Sequence, residues 1–466
     1  MTLRKEHSFA FILLSAVLPC VLLTGCVKSP LSGTISDSQI EPVWSGGSTS
    51  SETSVISEDA VSETSAVSGD PASSEPSETS GNSAVSESSA ASGDSAVSEH
   101  SAVSADSPET EATTAPTTRQ ALAPVEVKDP ERPYEFSLGF AGDINFADDY
   151  IPMGYLAALD TDDITAGIDQ EYIDIMNGMD LMWINNEFTY SERGEPLPGK
   201  AFTFRSSPSH VSYLKDLGID IVGLANNHSY DYGEISLLDT MDVLDKAGIR
   251  YVGAGRNIEE AASPVYLETN GFTIAYVAAS CAEKYIYTPE ATASAPGVLL
   301  CVDNTRFLES IRTAAEHADY VIALPHWGNE HTTWLTDEQK EGAHAYIDAG
   351  ADAVIGAHPH VLQGIEFYKD KPILYSLGNF WFDNYDIDTM VAELHFSGTA
   401  TSENHSLDNA DIELIVHPGT QTGSHTYVAA AGSWEDRILR YLEQISVNIS
   451  INEDLTVQMH TLDTNE

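Results

Sequence analysis

Five short polar clusters stand in order along the chain: Gly142-Asp143, Asn185-Asn186-Glu187, Asn226-Asn227-His228, His326-Trp327-Gly328 and His358-Pro359-His360. Asp and Glu are hard oxygen donors, Asn adds a neutral carbonyl and His adds an imidazole. That mixture suits borderline divalent ions such as Zn²⁺, Mn²⁺ or Fe²⁺ better than Ca²⁺. One His-Pro-His alone is a weak signal. Five clusters make a metal site if the fold gathers them.

Elements able to do so are visible. Apolar runs at 136–141, 219–224, 319–324 and 353–355 each lead directly into one of these clusters. Amphipathic stretches at 235–246 and 336–349 have the three-to-four spacing of helices, although Asp245 interrupts the apolar face of the first. Strands alternating with helices imply an α/β domain. In such sheets ligands bind at the carboxyl edge, where the strands end. After Pro372 the pattern turns strand-rich, with runs at 373–377, 390–396, 412–416, 445–451 and 455–460 that could complete a second sheet. The segments 404–411 and 420–432 read as mobile. One domain over 133–466 is expected.

The motifs resemble the CapA family. They are Phe204-Arg205-Ser206, Leu224-Ala225-Asn226-Asn227-His228 with Asp231-Tyr232-Gly233, Gly253-Ala254-Gly255-Arg256-Asn257, His326-Trp327-Gly328-Asn329-Glu330, Gly356-Ala357-His358-Pro359-His360 and Ser376-Leu377-Gly378-Asn379-Phe380. The likeness covers about 136–383. It implies a part in poly-γ-glutamate capsule synthesis and a domain similar to calcineurin-like metallophosphoesterases: a two-sheet sandwich flanked by helices, in four layers αββα, with a two-metal centre. Asp143, Glu187, Asn227, His326, His358 and His360 would then be metal ligands, Glu187 bridging. His228 would be the general acid, oriented by Asp231. The pattern departs at Asn145, where phosphoesterases carry a histidine. The acidic residue that follows their Asn-His pair is displaced here to Asp231.

Around this set, Asn145 and Asn226 could contribute weakly. Glu330 and His331 could fix imidazole tautomers or be solvated loop residues. Arg205, Lys200 and Arg256 could meet a substrate carboxylate, with surface ion pairs as the default. Three functions fit: a metal-dependent hydrolase or transferase acting on poly-γ-glutamate, a non-catalytic assembly or export subunit beside a membrane capsule synthase, and a phosphatase or phosphodiesterase with no capsule role. The plainer readings make Asp143 a turn residue and His228 a helix cap.

Composition limits the partners. The chain has 466 residues and a formal charge of -51, which argues against nucleic acid and against docking of the bare chain on anionic lipid. Residues 1–25 read as a signal peptide: Arg4 and Lys5 precede an apolar core too short to span a bilayer. Leu23-Thr24-Gly25-Cys26 matches a lipobox, so Cys26 is expected to carry lipid and hold the protein on the extracytoplasmic face of the membrane. Residues 26–130 read as a disordered stalk rich in Ser, Ala and Glu. Fifteen acidic and two basic residues lie between Val27 and Val125. A flexible coil of that length spans about 55 Å. Cys281 and Cys301 could pair or remain buried thiols.

Overall fold

The computed structural model describes residues 131–401 and 406–460, with the side chains of residues 284–285 excepted. The expected signal peptide, Cys26 and stalk lie outside the described residues. Among those described, no helix is long and apolar enough to cross a membrane.

The chain first lays down four parallel strands, β1 (Arg132–Ile144), β2 (Leu181–Asn186), β3 (Ile221–Gly223) and β4 (Arg250–Val252). It then builds a second sheet from β5 (Val265–Thr269), β6 (Phe272–Ser280), β7 (Tyr320–His326), β8 (Ala353–Ile355), β9 (Ile365–Tyr368) and β10 (Lys371–Leu374), in the order β9-β10-β8-β7-β6-β5. Finally it returns to the first sheet. There β11 (Asn379–Trp381) pairs with β1 in parallel, and β12 (Ile387–Ala400), β13 (Asp411–Thr422) and β14 (His425–Val428) extend the sheet in antiparallel fashion.

Side-chain alternation explains the layering. Phe136, Leu138 and Phe140 of β1 share one buried cluster with Phe272, Ile274 and Tyr276 of β6 and Tyr320, Ile322 and Leu324 of β7. The intervening residues Ala275, Val277, Val321 and Ala323 face a second cluster that includes Phe307, Ile311, Ala343 and Tyr346. Those four belong to the helices Thr305–Ala315 and Asp337–Ala349, which cover the outer face of the second sheet. A period of two puts alternate residues on opposite faces, so each strand of a sandwich between helices is apolar on both. Aromatic contacts cross the gap between the sheets: Phe136 to Phe272 at 5.8 Å and Tyr320 to Phe396 at 5.0 Å between ring centroids. The helix Glu234–Ala247 lies over the first sheet and ends at Gly248, which is left-handed at φ 78°. The two-sheet sandwich flanked by helices is therefore as expected.

Three expectations fail. Of the runs after Pro372 that could complete a second sheet, 373–377 does enter it through β10, but 390–396 and 412–416 lie in β12 and β13, which widen the first sheet because β12 runs antiparallel to β1 from Arg132↔Ala400 to Phe140↔Ala392. The 445–451 run is not one strand: the helix Ser433–Ile445 ends there and the strand Ile449–Ile451 begins after a turn. The 420–432 stretch is not a mobile loop through its first half. It is a tight hairpin whose turn residues Gly423 and Ser424 have φ of 58° and 66°, the two-residue geometry that matches strand twist. Of the other expected mobile segment, 404–405 fall outside the described residues.

Candidate metal centre

The β1 exit delivers Asp143, the β2 exit delivers Glu187, and the segment after β3 carries Asn226, Asn227 and His228. From the second sheet, β7 ends on His326, and the segment after β8 carries His358 and His360. All of these side chains are buried, with Asp143 and Glu187 fully so. Two parallel carboxyl edges thus meet at one point. The approach is tight: a Cβ at Gly142 would lie 1.8 Å from the Gly378 carbonyl oxygen, and Asp143 N–H donates to that same oxygen at 2.9 Å.

Glu187 Oε1 is buried without a hydrogen-bond partner. It lies 3.9 Å from His228 Nε2, 3.8 Å from His326 Nε2 and 3.8 Å from His360 Nε2. Those separations are too long for hydrogen bonds and suit donors arranged around a shared cation. Two groups of donor atoms lie within 4.8 Å of one another: Glu187 with His358 and His360, and Asp143 with Glu187 and His326. His358 Nδ1 is likewise buried and unpartnered. Orphaned buried donors of this kind are costly unless something pairs with them. Oxygen and imidazole donors around a carboxylate common to both groups fit divalent metal ions.

The charges agree with that reading. Burial, and then repulsion from Asp143, pushes the Glu187 carboxyl well above the usual range. Burial and the neighbouring imidazoles hold His326 and His358 well below theirs, in the neutral form that binds metal. Burial pulls His360 down too, but Glu187, Asp143 and Asn379 outweigh it and push it up to about 10.

A hydrogen-bonded frame fixes the donors. Asn185 Nδ2 donates to Asp143 Oδ1 at 2.7 Å and Glu187 Oε2 at 3.0 Å. Asn226 Nδ2 donates to the Asn185 side chain and to the Asn186 carbonyl, while Asn226 Oδ1 accepts from His228 N–H. Asn226 is thus part of the frame. Asn227 Oδ1 lies 2.8 Å from His326 Nε2, within the centre. His360 Nδ1 is 2.7 Å from Asn379 Oδ1 and 3.2 Å from Asp143 Oδ2. His358 and His360 have φ of 100° and 58°. A proline at 359 favours an extended backbone at the residue before it, and His358 departs from that. Positive φ at two non-glycine residues is strained, and here it turns both imidazoles toward the carboxylates.

His228 is placed differently. Its Nδ1 lies 2.7 Å from Asp231 Oδ2, which leaves Nε2 toward the centre. Burial lowers its pKa, and Asp231 opposes that. The Phe204 ring packs against it, tilted by 35° with the centroids 4.4 Å apart.

The other expected participants have partners of their own. Asn145 Oδ1 accepts from Ala147 N–H, closing a local turn. Arg205 stacks on Tyr232 at 4.2 Å and donates to the Gly194 carbonyl. Glu330 and His331 are about half exposed, His331 with its ring 5.9 Å from that of His360. Trp327 packs between Tyr346 and Tyr375. Lys200 is the residue the sequence misplaced: it is no surface ion pair, since its side chain is 3% exposed and its Nζ donates to Asp231 Oδ1 and the Asn227 carbonyl. Asn185 and Asn379 were quoted only within motifs, and their roles depend on partners far along the chain.

Relatives add the family. The PGA biosynthesis protein CapA of Bacillus subtilis is 37% identical over 199 residues, 42% of this chain and 51% of its own length. The capsule biosynthesis protein CapA of Bacillus anthracis is 35% identical over 240 residues, 50% of this chain and 55% of its own. The chain thus spans about half the length of these relatives. Among solved structures, a phosphatase from Mycoplasma pneumoniae aligns at 14% identity and a TM-score of 0.36, covering 62% of this chain and 95% of that one. The family model for the bacterial capsule synthesis protein PGA_cap matches residues 137–384, which include every residue of the centre, and the chain belongs to that family.

Proposed function

We propose that the protein is a metal-dependent hydrolase or transferase acting on capsular poly-γ-glutamate, held by lipidated Cys26 at the extracytoplasmic face of the membrane beside a capsule synthase. The observation that carries the enzymatic part is Glu187 Oε1, buried, unpartnered and ringed by three imidazole Nε2 atoms. The family and the printed names of the two Bacillus relatives support the capsule part. The lipobox supports the anchor.

Asp143, Glu187, Asn227, His326, His358 and His360 would hold divalent ions, two by the resemblance. Ions there would supply Lewis-acid polarisation of a carbonyl and acidify a water molecule. The protein's own contribution is positional. Asp231 fixes the His228 ring through Nδ1, so His228 exchanges a proton at Nε2 with the departing nitrogen of a γ-glutamyl amide. Lys200 and the Phe204 N–H hold Asp231 in turn.

The second reading, a non-catalytic assembly or export subunit, draws on Asn145. Its side chain closes a turn and leaves the first motif with one donor, Asp143. The test is metal analysis of the purified chain, of His358→Ala and of His360→Ala, followed by assays with γ-glutamyl amides and phosphoesters. The enzyme reading expects stoichiometric metal in wild type, loss in both variants and cleavage of the amide. Stoichiometric metal with no turnover, and capsule formation that survives His228→Ala but not Cys26→Ala, would establish the assembly role. Turnover of phosphoesters alone would point to a phosphatase.

A further inference from the structure

Cys281 and Cys301 are the two free cysteines among the described residues, twenty positions apart. Cys281 directly follows Ser280, the last residue of β6, which is in parallel register with His326. The Cys281 N–H donates to the His326 carbonyl at 3.0 Å. On the other side of Ser280 runs the segment 299–301. Ser280 N–H donates to the Leu299 carbonyl and Cys301 N–H to the Ser280 carbonyl, each at 2.9 Å, around a parallel bridge between Ser280 and Leu300. The cysteines therefore sit one residue beyond a bridged pair, on neighbouring backbones. Neighbouring strands are about 4.8 Å apart, within the Cα separation a disulfide requires. Burial, and then the neighbouring Cys281 thiol, pushes the Cys301 thiol well above its usual range, and the Tyr346 hydroxyl beside it donates to Asn304 Oδ1 at 2.9 Å. Both line one cavity of about 640 Å³ with Asn304, Gly328, Asn329 and Tyr346. Cys301 is 4% exposed, whereas Cys281 is partly open.

We propose that Cys281 and Cys301 form a reversible disulfide that ties the exit of β6 to the 299–301 segment, directly behind His326. The co-reactant is a soluble disulfide of the glutathione type. The Cys281 thiolate attacks one of its sulfurs, giving a mixed disulfide and releasing one thiol. The Cys301 thiolate then attacks the Cys281 sulfur, closing the bridge and releasing the second thiol. Two protein thiols lose two protons and two electrons, and the soluble disulfide leaves as two thiols. The inference does not depend on the metal reading.

The test uses the full chain in native buffer, equilibrated across glutathione mixtures from fully reduced to fully oxidised, then alkylated and digested with trypsin. Cleavage after Arg256, Lys284 and Arg306 places Cys281 in fragment 257–284 and Cys301 in fragment 285–306. The expected result is a linked pair of these fragments that accumulates with oxidised glutathione and is opened by dithiothreitol. Cys301→Ser should leave Cys281 as a glutathione mixed disulfide, and Cys281→Ser should leave Cys301 unmodified. Alkyl label on both cysteines throughout the series would overturn the proposal. So would a wild-type chain that stops at the mixed disulfide with Cys301 free, or a bridge that dithiothreitol cannot open.

Discussion

His228 Nδ1 and Asp231 Oδ2 lie 2.7 Å apart across a single turn of chain, and the same Asp231 carboxylate receives the Phe204 N–H and, through Oδ1, the ammonium of buried Lys200. One carboxylate thus sets the tautomer of the imidazole whose other nitrogen faces Glu187. Asp231→Asn keeps the shape and removes the charge. Under the hydrolase proposal it should slow cleavage of a γ-glutamyl amide by about a hundredfold or more while metal content, measured by elemental analysis, stays at the wild-type level. Loss of metal in this variant would show that Asp231 supports the donors and not the proton exchange.

Asn379 accepts from the His360 imidazole from outside the donor set. Partners that fix a ligand in this way are worth about 10–100-fold in metal affinity. Asn379→Ala should therefore weaken metal binding by that factor in competition with a chromogenic chelator, with little change in the circular dichroism spectrum. Unchanged affinity would mean that Asp143 alone is enough to orient His360.

Gly142 is required by backbone approach. A methyl group there would overlap the Gly378 carbonyl at 1.8 Å, and no side-chain rotation relieves a clash with backbone. Gly142→Ala should cost about 3 kcal/mol or more in urea unfolding and reduce metal content as well, because Asp143 is the next residue. A variant with wild-type stability would show that β1 and the Gly378 segment can separate freely.

Glu393 gives a pH dependence remote from the centre. Burial raises its pKa, but hydrogen bonds from His417 and Ser137 outweigh burial and hold it below the usual carboxylate range. A carboxyl whose pKa is depressed by folding stabilises the protein fully above its unfolded value near 4.5, and that contribution fades as pH falls through the folded value. The Tm difference between wild type and Glu393→Gln should be greatest near neutrality and narrow below about pH 4.5. A difference that is constant with pH would assign the effect to packing alone.

The donors were legible because each follows its own apolar run within a few residues. Strand-exit placement is a short-range pattern, and Asp143, Asn227, His326 and His358 all display it. The helix starting after Thr336 was legible for the same reason. Thr336 and Gln339 form a reciprocal cap three residues apart.

The hairpin at Gly423-Ser424 was missed although its turn chemistry was present, because the polar residues around it resemble a loop. Thr426 and Gln421 are buried there by contacts with Phe380 and Asp383, some 38 to 46 positions away. Lys200 was assigned to the surface because charge usually belongs there. Its burial depends on Asp231 and the Asn227 carbonyl, 31 and 27 residues distant.

By itself, the sequence determined the alternation of strands and helices, the ordered donors and the chemistry those donor types allow, since each is written in residue type and local spacing. Only the tertiary structure decided which sheet the C-terminal strands join, that the carboxyl edges of both sheets converge on Glu187, and that His358 and His360 turn inward through positive φ. Those outcomes arise from hydrogen-bond register and packing between segments about 250 to 270 residues apart, as between β1 and β12, and such separations leave no pattern along the chain.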